Sequence, residues 1–335
     1  MQLLRKIAFP ISLAYALVVG LRNSLYDMGV LKSRAYRTPI ICVGNLSAGG
    51  TGKTPMIEYL ISNLRGNHRI AVLSRGYRRK SKGFVLADSR SNAEAVGDEP
   101  YQIHTKYPEI SVAVDADRQE GIEILEKDIR PDVILLDDAF QHRKVNPGFN
   151  ILLTAYGKLY TSDWYLPTGN LRDGARQAKR AQLIVVTKCP PNLSQNDRNK
   201  IQEALQPKAD QKVLFSCLSY DCAIKDNGEA HALDYFRNRS LTLVTGIADP
   251  APLIAYLRQA GLTFEHARFR DHHYFTKNEL ETLRSKPLVM TTEKDYMRLK
   301  GKIEGLFYIP VAHSFLGNDA QVLEQEVGDF MKRDS

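Results

Sequence analysis

The chain has 335 residues, 43% of them apolar and 25% charged, the make-up of an ordinary globular protein with core enough for two domains. Cys42, Cys189, Cys217 and Cys222 are scattered with no C-x-x-C pair, which argues against a metal or disulfide framework and for reduced thiols. The net charge of +8 favours acidic partners such as nucleotides, phospholipid headgroups or nucleic acid.

In chain order, the first feature is the uncharged run Ile7–Leu21, "IAFPISLAYALVVGL", with Arg5 and Lys6 before it and Arg22 after it. As a helix it is roughly 22 Å long, short of the ~20 residues that cross a bilayer. Ala14-Tyr15-Ala16 imitates a signal-peptidase site, but the apolar run continues past it. Residues 1–30 are therefore expected to hold a helix lying in the membrane interface with its basic flanks at headgroup level. A helix buried within the protein is the alternative.

Short β-branched apolar runs follow: "PIICVG" (39–44), "RIAVLS" (69–74), "ISVAV" (110–114), "DVILLDD" (132–138), "NILLTA" (150–155) and "QLIVVT" (182–187). Helical spacing fills 53–65, 98–106 and 117–127. Strand alternating with helix predicts an α/β fold, a parallel sheet with helices on both faces. The rhythm turns polar near 213–233, with Asp226-Asn227-Gly228 as a turn. A second αβ series then begins with "LTLVTG" (241–246), a helix from 250, "PLVMTT" (287–292) and "LFYIP" (306–310). The expected units are a P-loop domain over 31–212, a two-stranded linker over 213–235, and a smaller α/β domain over 236–335.

The junction "VGNLSAGGTGKTPM" (43–56) joins the first strand to the first helix of the sheet. A strand, a glycine-rich turn, Gly-Lys-Thr and then a helix make a P-loop. Backbone amides of Ser47, Ala48, Gly49, Gly50, Thr51, Gly52, Lys53 and Thr54 would curl around phosphate oxygens at a helix N-terminus. Lys53 reaches the β- and γ-phosphates, and the Thr54 hydroxyl binds Mg²⁺. Asp137 and Asp138 end the apolar strand "VILLDD" as Walker B acids, where sheet ligands bind. Spacing does not say which of the two is nearer the metal. Thr187-Lys188-Cys189-Pro190 lacks the aspartate of a guanine-reading motif, so ATP is expected. Thr292-Glu293-Lys294-Asp295 reads as a helix cap, and Asp98-Glu99-Pro100 reads most simply as a helix N-terminus with Asp98 as its cap.

Between Glu58 and Asp88 there is no acidic residue, while Arg65, Arg69, Arg75, Arg78, Arg79, Lys80 and Lys82 all fall there. Beside a phosphate site this run suits an anionic surface. It has no interleaved stacking aromatics beyond Tyr77, so no nucleic-acid partner is expected.

These residues carry a family resemblance. "LRNSLYDMG" (21–29), "VGNLSAGGTGKTP" (43–55), "LSRGYRRK" (73–80), "GDEP" (97–100), "LLDDAFQHR" (135–143), "LPTGNLRD" (166–173), "FRDHH" (269–273) and "TTEKD" (291–295) resemble, in order, the tetraacyldisaccharide 4'-kinase family. Ala139 stands where that family more often has Gly, and Asp173 where it usually has Glu. The resemblance implies two α/β/α domains joined by a two-stranded linker. It implies transfer of the γ-phosphoryl group of ATP, with Mg²⁺, to the 4'-hydroxyl of an acylated glucosamine disaccharide 1-phosphate, a lipid A precursor. The place it implies is the cytoplasmic face of the bacterial inner membrane. It also implies an Asp98–His272 catalytic dyad, assembled from two segments by domain closure, and a lipid-headgroup cleft lined by Arg75, Tyr77, His142, Asn170, Arg172 and Asp173. Two other classes fit a P-loop. A soluble kinase or ligase for a small metabolite has no use for residues 7–21, and a non-catalytic nucleotide switch has no need of Asp98.

Overall fold

A computed structural model describes residues 7–333 except 222, 227 and 228. Arg5, Lys6, Cys222 and the tip of the expected turn, Asn227-Gly228, lie outside the described residues. Cys42, Cys189 and Cys217 are buried free thiols.

The strands in chain order are β1 (Ile40–Asn45), β2 (Ile70–Ser74), β3 (Val85–Leu86), β4 (Ser111–Val114), β5 (Val133–Asp137), β6 (Phe149–Ala155), β7 (Leu183–Thr187) and β8 (Lys212–Tyr220). They continue with β9 (Ala223–Asp226), β10 (Glu229–Ala232), β11 (Leu241–Thr245), β12 (Glu265–Arg268), β13 (Leu288–Thr292), β14 (Leu306–Ile309) and β15 (Val311–Phe315). The large sheet has the order β15-β8-β7-β6-β1-β5-β2-β4-β3, and the small one β10-β9-β14-β13-β11-β12. In the large sheet, pairing is parallel from β8 to β4 and antiparallel at both edges. Continuous apolar sequence in β1, β2, β5 and β7 matches strands buried on both faces. Two separate apolar clusters cover the two faces of this sheet.

The chain does not divide at 212 and 235. The segment Lys212–Tyr220 is a buried strand of the large sheet, paired in parallel with β7. The following β9–β10 hairpin belongs to the small sheet. The segment expected as one unit over 236–335 leaves the small sheet after β14. Strand β15 pairs antiparallel with β8, Val311 opposite Tyr220. The final helix, Asp319–Arg333, then packs Leu323, Val327, Phe330 and Met331 into the core under the large sheet. The physical reason is edge coverage: β15 pairs with the β8 edge, and the helix buries its apolar face on the sheet. The outward and return passes between the sheets therefore run side by side as a two-stranded connection.

One helix, Asp98–Lys106, joins the two sheets. At its C-terminal end Lys106 Nζ lies 2.5 Å from Glu58 of the P-loop helix and 2.9 Å from Glu293 beside the small sheet. Gln102 donates to the same Glu58 at 2.7 Å. Its N-terminal end carries Asp98, described below.

The N-terminal helix Phe9–Asp27 is packed with its polar side inward. Ser12 and Asn23 are buried, and Ser12 Oγ donates to Thr168, Tyr15 Oη to the Arg172 carbonyl and Asn23 Nδ2 to Asp173. Leu13, Leu17, Val18 and Leu21 face outward, Leu17 being 74% exposed. A surface helix of a globular protein has the opposite arrangement. Among the described residues no helix is long and apolar enough to cross a membrane.

Candidate active site

The P-loop leaves β1 and enters the helix Lys53–Leu64 through Gly49 and Gly52, both with positive φ. Ala48, Gly49 and Gly50 are exposed, so the loop opens to solvent. Ala48 N–H donates to the Asn170 carbonyl at 2.7 Å, which anchors the loop's outer limb to the 163–173 segment. Ser47 forms an isolated bridge with Leu171 in the same segment. Inside the loop, Asn45 Nδ2 donates to Thr51 Oγ1 at 2.9 Å. Thr54 sits in the first turn of the helix.

The two acids that end β5 have different surroundings. Asp138, at φ 47, has both carboxylate oxygens bonded by Arg172, at 3.1 and 2.7 Å, and Lys53 Nζ stands 3.7 Å away. Burial would raise its pKa, but Lys53 and Arg172 outweigh it and hold the carboxyl below its usual range. Asp137 accepts from Ser74 Oγ at 3.1 Å on Oδ2. Its Oδ1 is buried and has no hydrogen-bond partner among the described residues. Burial, then Glu99 and Asp138, push Asp137 up to about 7. A buried oxygen without a donor beside two more carboxylates is the hard-oxygen environment that a divalent cation relieves. Asp137, Thr54 and the neighbouring acids thus fit Mg²⁺.

Asp98 immediately precedes Glu99, whose charge reaches Asp137. Asp98 is not the cap of its helix. Gly97 holds the cap position at φ 96, and no side chain caps the helix end. The Asp98 carboxylate instead meets two side chains that lie beside the small sheet, one from the turn after β12 and one from the helix Glu293–Leu299. His272 Nδ1 is 3.1 Å from Oδ2, and Arg298 donates to the same oxygen from Nε at 2.9 Å and Nη2 at 2.6 Å. Asp98 Oδ1 is buried with no hydrogen-bond partner among the described residues. Burial alone would raise this carboxyl. The bonds from His272 and Arg298 win and lower it to about 2. The backbone makes the placement possible at Gly97, where a Cβ would meet the Gly76 backbone at 3.2 Å. Only glycine permits both the close approach and the positive φ.

Lys294 Nζ is 3.0 Å from His272 Nε2 and 3.2 Å from Glu99 Oε1. An ammonium only donates, so Nε2 accepts at that contact, while Nδ1 lies against Asp98 Oδ2 at 3.1 Å and Arg298 Nη2 at 3.3 Å. His272 is held at φ 59, a region rare for non-glycine residues. Tyr77 packs edge-on against its ring at 5.3 Å, and Arg78 donates to its carbonyl at 3.3 Å. A chain of charged contacts, Asp98–His272–Lys294–Glu99, leads back towards Asp137.

The expected cleft residues fall into two groups. Arg75 and Tyr77 are exposed, and Arg75 lies near Arg118 and His142. Burial first, then Arg118, Arg75 and Arg22, lower His142 to about 4, so this corner is a cationic pocket suited to an anion. Asn170 anchors the P-loop through its carbonyl, and Arg172 faces Asp138 and Asn45. Asp173 points the other way: it is fully buried and accepts from Asn23 and Gly174 N–H. It docks the N-terminal helix and does not line the cleft. The chain bends at Arg172 and Asp173, and the two side chains turn to different partners.

Arg298, Lys294, Ser74 and Arg118 were not singled out from sequence. The "TTEKD" segment is a cap as expected, with Thr292 Oγ1 accepting from Asp295 N–H. It also starts the short helix Glu293–Leu299 that carries Lys294 and Arg298 to Asp98. Removing Arg298 leaves Asp98 buried with one fewer partner. The substitution Arg298→Leu is expected to lower stability by about 3–5 kcal/mol in urea unfolding. Combining it with Asp98→Asn is expected to restore much of that loss. Simple additivity of the two changes would contradict the pairing.

The family model described as tetraacyldisaccharide-1-P 4'-kinase matches residues 4–331. The chain is 47% identical to the tetraacyldisaccharide 4'-kinase of Flavobacterium johnsoniae, covering 99% of this chain and 98% of that one. It is 39% identical to that of Bacteroides thetaiotaomicron, covering 99% and 94%. A crystal structure of LpxK from Aquifex aeolicus in complex with ATP superposes with a TM-score of 0.80 at 30% identity, over 98% of this chain and 99% of that one. The chain belongs to the tetraacyldisaccharide 4'-kinase family.

Proposed function

We propose that this chain moves the γ-phosphoryl group of ATP to the 4'-hydroxyl of a tetraacylated glucosamine disaccharide 1-phosphate, a lipid A precursor, at the cytoplasmic face of the bacterial inner membrane. The observation that carries the reading is the buried Asp98 carboxylate, bonded on one oxygen only by His272 and Arg298 and followed in the chain by Glu99, whose charge reaches Asp137 at the end of β5.

In this reading the P-loop amides and Lys53 hold the β- and γ-phosphates, and Arg172 fixes Asp138 beside Lys53. Thr54 and Asp137 would hold Mg²⁺, which would supply charge neutralisation at the phosphates, while Lys53 and Arg172 neutralise Asp138. Asp98 Oδ1 accepts the proton of the 4'-hydroxyl as that oxygen bonds to the γ-phosphorus. The bond to the β-phosphate oxygen breaks and ADP leaves. A carboxylate with a pKa near 2 is a weak base, so its contribution is aim more than basicity. His272 and Arg298 supply that aim. The cationic corner of Arg75, Arg118 and His142 suits the acceptor's anionic headgroup, with Tyr77 beside it.

The N-terminal helix supports the membrane placement. Its outward side chains form an apolar patch larger than scattered surface residues would explain. Trp164, 57% exposed, packs against Phe9 at 5.4 Å and extends the patch. A cavity of about 510 Å³ lies between this helix and residues 160–175, lined by Phe9, Leu13, Ala16, Tyr160, Trp164 and Leu171. Its apolar walls suit an acyl segment of the acceptor.

Three variants test this reading. Lys53→Ala is expected to reduce turnover about 10²–10³-fold. Asp98→Asn is expected to lower kcat about 10²–10⁴-fold with ATP affinity within about twofold of wild type. Near-normal turnover of either variant would overturn its assigned role. Replacing Leu13, Leu17 and Leu21 together by Ser should weaken co-sedimentation with phosphatidylethanolamine–phosphatidylglycerol vesicles at least about tenfold and leave the melting temperature unchanged. Undiminished vesicle binding would show that this face is not the anchor.

A further inference from the structure

A loop that offers its amides to phosphate must turn its carbonyls away, because C=O and the following N–H point in opposite directions across a trans peptide. Outward carbonyls under a protein surface then need donors of their own. In the P-loop the Thr51 carbonyl accepts from Thr187 Oγ1 at 2.8 Å. The Gly52 carbonyl accepts from Met56 N–H at 3.1 Å and lies 2.9 Å from His313 Nε2. The partner peptide groups of these two carbonyls are the amides of Gly52 and Lys53, at the phosphate-facing end of the loop.

His313 comes from β15, the strand by which the chain returns from the small sheet, 261 positions away from Gly52. It is buried, and its other nitrogen lies 3.0 Å from Ser216 Oγ on β8. A carbonyl only accepts, so Nε2 carries the ring proton, and Nδ1 accepts from the Ser216 hydroxyl. Burial pushes the ring's pKa down to about 4, against the opposing pull of the Gly52 carbonyl, so one donor and one acceptor are available and both are used. The ring also occupies the space that a side chain at position 52 would need: a Cβ on Gly52 would fall 3.0 Å from Nε2, at φ 87.

We infer that His313 is a positioning residue for ATP: its Nε2–H fixes the Gly52 carbonyl outward and thereby aims the Lys53 amide at the phosphates. The inference rests on the reading of this loop as the ATP phosphate site. His313 touches neither substrate nor the reacting atoms, and it ties the geometry of the phosphate loop to the two-stranded connection between the sheets.

The test is calorimetric titration of the full chain with Mg-ATP, together with ATP and acceptor KM values and melting temperatures, for wild type, His313→Leu, His313→Gln and Ser216→Ala. His313→Leu fills the space without a donor and is expected to weaken ATP binding about tenfold, with the acceptor KM unchanged. His313→Gln places an amide N–H at the same reach and is expected to restore binding to within about threefold of wild type. Ser216→Ala, which loosens only the ring's orientation, is expected to fall between them. The inference is overturned if His313→Leu binds ATP as wild type does. It is also overturned if the Leu and Gln variants weaken equally in step with their melting temperatures, which would make the ring mere packing. A wild-type chain that fails to bind ATP would sink the phosphate-site reading itself, and this inference with it.

Discussion

A carboxylate taken out of water must be paired, since desolvation costs several kcal/mol per ion. At Asp98 that requirement draws the two sheets into one site. Asp98 starts a helix that packs beside the large sheet, while its partners, His272 and Arg298, come from the small one. The same helix is held at its far end by Lys106, which lies between Glu58 and Glu293. Clamped at both ends, the helix ties the P-loop helix, through Glu58, to the segments that carry His272 and Arg298. Neither sheet alone contains a complete set of groups for phosphoryl transfer.

Two solvents shape the rest. The cleft is lined by cations, in keeping with anionic ligands: Lys53 and Arg172 around Asp138, and Arg75 near Arg118 and His142. The N-terminal helix presents leucine and valine outward and uses Ser12, Tyr15 and Asn23 for docking. Buried Asp173 is the anchor for that docking, which places the apolar face beside the cleft that contains Arg172. An acceptor with an anionic head and apolar tails matches both surfaces at once.

Much of this was legible in the sequence where the chemistry is local. The P-loop, the paired acids closing β5, and the strands β1, β2, β4 to β7, β11, β13 and β14 are set by glycine placement and by continuous β-branched runs that few other structures accommodate. What was not legible depends on contacts across long separations. Asp98 looks like a helix cap because helix starts favour aspartate, and only the fold shows Arg298, 200 positions away, taking up its carboxylate. The return of β15 to the large sheet was hidden because "VAHSF" follows β14 after a single proline and continues its pattern. Asp173 was misplaced because adjacency to Arg172 in a motif says nothing about which way each side chain turns where the chain bends. His313 stood in no motif, and its role as a donor appears only when β15 lies against the P-loop.

The central claim is that the phosphate loop and the Asp98–His272 pair act together on one hydroxyl. Its most direct measurement is ³¹P NMR of the lipid recovered after incubating the purified wild-type chain with Mg-ATP and the tetraacylated disaccharide 1-phosphate in mixed micelles. One new phosphomonoester resonance, at the 4'-oxygen, is expected, appearing in step with ADP. Release of ADP and orthophosphate at the same rate with and without acceptor, with the lipid unchanged, would contradict it.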